Sequence, residues 1–282
     1  MHNFKKVILS AASITVIFLI CSVVWMAPFL NSEAAYYQDT HLRDSLEGDL
    51  NVLTVGASNG LCALDPRIMD EQWQVCSYNL SAPLMTLDAR MFFLQKEISR
   101  NPIHTVIMEI SGDTLTRQES NEKAEGDSFS VARLNSGFER IQYIVNCVKP
   151  HVFLNLYAHL GTFGTEYWLS RIADHSVHNV NYEAKGFCIH KANDIHFSEE
   201  TAIERYKYKV LDSDFTEENS RKLIRQIEYC KENNIRVILV IVPKADAYHW
   251  SLEGEDDFYK NMLQLSNELN CEFYDFNLLG AL

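Results

Sequence analysis

Ser58 sits just past a short apolar run, in a setting where a serine can act as a nucleophile. Asn51–Val55 is β-rich, and Gly56-Ala57-Ser58-Asn59-Gly60 follows it as a turn cluster. A nucleophilic serine needs exposure at a tight strand-to-helix turn, backbone N–H groups nearby and a base. Gly56 permits the turn and the small Ala57 permits close approach. The competing role is a plain helix N-cap. A base is offered by Asp246-Ala247-Tyr248-His249, a D-x-x-H pattern after the apolar run Arg236–Val242. The competing role for His249 is a loop histidine beside Trp250. His159, His175, His178, His190 and His196 cluster upstream, and His190, Asp194 and His196 are spaced H-x-x-x-D-x-H. That spacing fits no helical face well, so solvated or hydrogen-bonded histidines are expected and no metal site.

Positioning these residues requires alternating strands and helices. Asn51–Val55, Val75–Leu80 and Thr105–Ile110 read as strands, as do the continuous apolar run Arg236–Val242 and Cys271–Phe276. Leu84–Arg100 has apolar Leu87, Met91, Leu94 and Ile98 at helical spacing, and Asn101-Pro102 stops it. Thr216–Asn233 is an amphipathic helix with Leu223, Ile224, Ile227 and Cys230 as its stripe, and Glu255–Leu269 is another. The alternation predicts an α/β fold with a parallel sheet and helices on both faces. Between the third and fourth strands the rhythm breaks. Ser128–Val148 and Val152–Ile172 read as helices and residues 174–212 show no period, so residues 115–212 are expected to be an insertion. The aromatic stretch Phe153–Trp168 is open to two readings, packing in the core or resting on a bilayer or membrane partner. Ligand sites in such sheets lie beyond the carboxyl ends of the strands. This rule selects Ser58, Ser81 and Ala82, Asp113, Asp246 and His249, and Asp275 and Asn277.

The blocks Leu53-Thr54-Val55-Gly56-Ala57-Ser58, Tyr78-Asn79-Leu80-Ser81-Ala82 and Asn101-Pro102 before Val106-Ile107-Met108-Glu109-Ile110, with Leu64-Asp65-Pro66, come in an order that resembles the SGNH/GDSL hydrolase superfamily. The similarity is to its membrane-anchored, extracytoplasmic branch. That branch includes DltD-like proteins of cell-wall polymer D-alanylation and SGNH-like partners of polysaccharide O-acetylation. The resemblance implies a three-layer, flavodoxin-like parallel sheet and an acyl-transfer serine at Ser58. It implies a base of the D-x-x-H type and oxyanion or site-lining groups at Asn59, Ala82 and Asp113, with no cofactor. The sequence departs from the pattern in three places. The second block has Ser81-Ala82 in place of a glycine, and the third reads Ile110-Ser111-Gly112-Asp113, without its asparagine. The chain stops at Leu282, soon after Asp275-Phe276-Asn277, where the family's D-x-x-H block is expected; a fragment or a protein without the usual dyad would each read this way. Asp246 and His249 lie one element too early for that block.

The amino terminus decides the compartment. Lys5 and Lys6 precede Val7–Leu30, about 24 residues without a charge, which is long enough to span a bilayer. The positive flank predicts a cytoplasmic tip with the bulk outside. Cleavage of a signal peptide after Ala34 is the competing reading. The expected organisation is an anchor over residues 1–30, a polar tether over 31–49 and an SGNH-like domain over 50–282. The 282 residues carry a net charge of −13 and no basic stripe, which argues against nucleic acid as a partner. Seven cysteines include no C-x-x-C pair, and Cys62 with Cys76 is one pairing open to oxidation. Two functions remain. One is an acyl hydrolase or acyltransferase on an acylated glycan or cell-wall polymer, with a membrane acyltransferase as candidate partner. The other is an inactive SGNH-like scaffold that binds a membrane partner or glycan.

Overall fold

The computed structural model describes residues 13–17, 21, 40, 42–116, 124–135, 137–158, 160, 180–190, 215–243 and 254–278. Its centre is a five-stranded parallel sheet built from β1 (Val52–Val55), β2 (Ser77–Asn79), β3 (Thr105–Glu109), β6 (Arg236–Ile241) and β7 (Glu272–Asp275), in the order β2-β1-β3-β6-β7. The expected strands are all present. Those from Asn51–Val55, Thr105–Ile110 and Arg236–Val242 are neighbours and run parallel. The order 2-1-3-4-5 is that of flavodoxin-like sheets.

Right-handed crossovers dictate where the helices lie. The chain moves one way from β1 to β2 and the opposite way at each later step. α1 (Ser58–Ala63) and α2 (Pro66–Trp73) therefore occupy one side of the sheet. α3 (Leu87–Ile98), α7 (Glu217–Glu232) and α8 (Glu255–Glu268) occupy the other. Alternate strand residues feed the two layers. Leu53, Val55, Val106, Met108, Leu239 and Ile241 join the large core with Phe93, Leu223 and Phe258. Val52, Ile107 and Val240 form a smaller core with Met69. Burial on this scale is worth about 1.5–3 kcal/mol per large aliphatic side chain.

Local chemistry sets the helix ends. Thr86 caps α3 by accepting the Ala89 N–H, and Thr216 caps α7 by accepting the Asn219 N–H. Asp65 caps α2 and Pro66 is its first residue, which explains the Leu64-Asp65-Pro66 turn. The buried face of α3 differs from the expected stripe. Leu87 and Leu94 are buried, but Met91 and Ile98 only partly, while Arg90 and Glu97 are buried beside Phe93. Two charges displace the apolar stripe because each finds an ionic partner on this face.

The connection from β3 to β6 holds α4 (Gly112–Thr116), α5 (Ala124–Ala132), α6 (Gly137–Cys147) and an antiparallel hairpin of β4 (Val180–Ala184) and β5 (Phe187–His190). The single helix expected over Ser128–Val148 is two helices, separated at Arg133–Asn135. The hairpin falls where no period was visible. At the other end of the domain, residues expected to be a tether include Arg43, which is buried and donates to the Arg133 carbonyl at 2.9 Å. Among the described residues no helix is long and apolar enough to cross a membrane. Most of Val7–Leu30 lies outside them; residues 13–17 are helical, with Ile14, Val16 and Ile17 exposed.

Candidate active site

β1 ends at Val55, and Gly56 and Ala57 turn the chain into α1. Ser58 is the first helical residue and is exposed. Ala57 occupies the N-cap position and has no side-chain group to cap with. Ser58 therefore does not do what Thr86 and Thr216 do. Its hydroxyl has no hydrogen-bond partner among the described residues. The helix-cap reading of Ser58 gives way because Ala57, one residue earlier, holds the N-cap position.

The turn rests on a buried carboxylate. Glu109, the last residue of β3, accepts the Ala57 N–H on Oε2 at 2.8 Å. Both glycines that flank Ser58 at two residues' distance are needed for this approach. A Cβ at Gly56 would lie 2.6 Å from Glu109 Cβ and 2.7 Å from Oε2. A Cβ at Gly60 would lie 2.9 Å from Ser81 Oγ and 3.0 Å from Glu109 Cβ. Arg90 approaches Glu109 from α3. Its Nη1 donates to the Glu109 carbonyl at 2.7 Å, and its Nη2 is 3.6 Å from Oε2. Burial drives the Arg90 guanidinium below its ordinary value, and the Glu109 charge opposes that drop.

Asn79, the last residue of β2, ties the other end of α1. Its Nδ2 donates to the carbonyls of Gly60 and Leu64, each at 2.9 Å, and its Oδ1 accepts the Ser81 N–H at 2.9 Å. Its own N–H donates to the Lys185 carbonyl at 2.8 Å, which brings the β4–β5 hairpin against the β2 edge. Glu109, Arg90 and Asn79 were not selected from the sequence as site residues. A polar residue inside each apolar run, together with the G-x-S-x-G spacing around Ser58, is the signal that points to them.

The remaining candidates separate. Asn59 is exposed beside Ser58. Ala82 has no exposed surface, and its N–H donates to the Gly56 carbonyl at 3.3 Å, so that group is already used within the fold. Ala82, expected as a site-lining residue, thus lies buried against the β1–α1 turn. Ser81 is buried just beneath the turn. Asp113 lies in α4, past the end of β3, the strand next to β1; its side chain is outside the described residues. Asp246 and His249 follow β6 and are outside them too. Asp275 and Asn277 are engaged with each other, the carboxylate accepting the Asn277 N–H at 2.9 Å and its Nδ2 at 2.8 Å. Among the described residues no cluster of His, Cys, Asp or Glu could hold a metal ion. The side chains of the His190, Asp194 and His196 group fall outside them. The Cys62 thiol has Cys188 as its titrating neighbour, while Cys76 Sγ accepts from Lys185 Nζ at 3.9 Å.

No protein-family model matches this chain, and no match was found among curated proteins. The geometry alone offers an exposed alcohol at the carboxyl end of β1, held on a turn that is fixed from below by Glu109 and from behind by Asn79. Such a group can attack an electrophilic carbonyl once a base removes its proton.

Proposed function

We propose that this chain is an SGNH-like acyl hydrolase or acyltransferase that acts outside the cytoplasm on an acylated cell-wall or surface polysaccharide. The observation that carries the reading is Ser58, an exposed hydroxyl with no structural duty on a turn whose close packing excludes side chains at Gly56 and Gly60. Ser58 Oγ attacks the acyl carbonyl carbon and forms a serine ester. Its proton passes to a base, for which the D-x-x-H run nominates His249 with Asp246, and then to the departing sugar oxygen. Water or a second sugar hydroxyl takes the acyl group in the reverse sequence. The N–H groups of Ser58 and Asn59 have no carbonyl partner among the described residues, and they supply the developing oxyanion with donors. Val7–Leu30 anchors the domain at the membrane surface, where an acyltransferase embedded in the bilayer is a fitting partner.

A second reading, an inactive scaffold of the same fold, is favoured by one contact. The Ala82 N–H, at a position where the resemblance implies an oxyanion donor, is taken by Gly56. Losing one such donor costs about 2.7–4 kcal/mol of transition-state stabilisation. The variant Ser58→Ala separates the readings. Removing a surface hydroxyl that caps nothing should leave Tm within about 2 °C of wild type. Release of acetate or alanine from an acylated glycan should fall by several orders of magnitude. Wild-type release equal to that of Ser58→Ala in a folded sample would favour the scaffold.

A further inference from the structure

Cys62 and Cys188 belong to parts of the chain that meet only through the fold. Cys62 lies in α1, four residues after Ser58 and so on the same helical face. Cys188 lies in β5, whose hairpin packs against α1. Each thiol shifts the other's titration, as neighbouring groups do, and both are unoxidised in this structure. Cys188 is fully buried, whereas Cys62 is partly exposed and open to a reagent.

The hairpin is held there by contacts that do not involve sulfur. Lys185 presents its carbonyl to the Asn79 N–H at 2.8 Å, and its Nζ pairs with Asp70. Arg133 Nη2 donates to the Gly186 carbonyl at 3.4 Å. Gly186 has φ +82°, and a Cβ there would lie 1.9 Å from the Asn79 carbonyl oxygen, so only glycine fits. The Arg67 guanidinium lies 5.5 Å from the centre of the Phe187 ring. Cys188 is thus presented to Cys62 by a docked element.

We propose that Cys62 and Cys188 form a disulfide that locks the β4–β5 hairpin onto the helix that begins with Ser58, with a small or protein disulfide as the oxidant. The Cys62 thiolate attacks one sulfur of the donor disulfide, forming a mixed disulfide and releasing the first donor thiolate. Cys188 gives its proton to that thiolate and attacks Cys62 Sγ, expelling the second donor thiolate, which takes up the proton that Cys62 lost. Two protein thiols and one donor disulfide become one protein disulfide and two donor thiols. The order follows from the pair itself. Cys188 beside it holds the Cys62 thiol below its ordinary value, whereas the Cys188 thiol is raised by the neighbouring Cys62 and by burial. The inference is independent of any role for Ser58 in acyl transfer.

The test uses the full chain in detergent, reduced and then exposed to oxidised glutathione. Unreduced peptide mapping should find the Cys62 peptide joined to the Cys188 peptide, with Cys76 still alkylatable. Oxidation should raise Tm by on the order of 5 °C, because the bond closes a long loop. Cys62→Ser should lose both the cross-link and the shift, and Cys76→Ser should keep both. A Cys62 that stays alkylatable, stops at the glutathione adduct or pairs with another cysteine would overturn the proposal. Mapping on the wild-type chain decides the matter even if a variant fails to fold.

Discussion

α3 carries a buried charge near each end, and the two are built differently. Near its start, Arg90 and Glu109 are sealed from solvent, with side chains 0% and 1% exposed. Near its end, Glu97 belongs to a chain of charges that reaches the surface. Arg43 Nε is 3.4 Å from Glu97, Lys96 Nζ is 3.0 Å from Glu139, and Arg100, 36% exposed, is 2.9 Å from Glu139. Asn101 Nδ2 adds a bond to Glu97 Oε2 at 3.2 Å. α3 runs against the strands, so the sealed pair sits at the carboxyl edge beneath Ser58 and the network sits at the opposite edge. A network open to water can replace a lost partner with solvent. A sealed pair cannot, so it fixes one geometry for the turn above it.

The largest predicted effect follows from that difference. Arg90→Met leaves the Glu109 carboxylate buried without its cation and should cost about 3–5 kcal/mol in urea unfolding. Replacing both partners together, Arg90→Met with Glu109→Leu, should recover much of that loss. Recovery would show that the cost is an orphaned charge rather than lost packing. Next comes Gly56→Ala, whose Cβ would overlap Glu109; about 1–3 kcal/mol is expected. Glu139→Gln, a buried carboxylate whose partner Arg100 reaches solvent, should cost less than Arg90→Met, about 1.5–3 kcal/mol. A Glu139→Gln loss as large as that of Arg90→Met would erase the comparison.

An exposed pair sets the lower end of the scale. Arg236 Nε and Nη2 donate to Glu272 at 2.5 and 2.7 Å, and these hydrogen bonds hold the Glu272 carboxyl below its ordinary value. A depressed folded-state value means that the pair's contribution is present above about pH 4.3 and is lost as pH falls through the folded value. Glu272→Gln should therefore change Tm slightly at pH 7 and not at all at pH 2, as thermal melts across that range would show.

How far each feature could be seen in the sequence follows the same division. β1, β3 and β6 were legible because strands buried on both faces are continuous apolar runs. α7 was legible because Thr216 announces its start. Ser58 was legible as a turn serine. Arg90 and Glu109 were visible only as charges interrupting apolar patterns; their partnership depends on α3 folding back along β3, which local spacing does not encode. The β4–β5 hairpin was invisible for a different reason. Its turn is Lys185-Gly186, with φ of 51° and 82°, and Lys-Gly lacks the Asn or Asp that marks such turns. Its docking depends on the backbone of Asn79 as well as on the buried Phe187 and Cys188.

The most direct test of the site is chemical labelling. The full chain is incubated with a fluorophosphonate probe, and the modified residue is located by mass spectrometry, with Arg90→Met and Glu139→Gln treated alongside. Ser58 should be the residue labelled in wild type and in Glu139→Gln, and labelling should drop at least tenfold in Arg90→Met at temperatures where it remains folded, about 1.4 kcal/mol of lost reactivity. A cooperatively folded wild-type chain that leaves Ser58 unlabelled would contradict the assignment of Ser58 as a nucleophile.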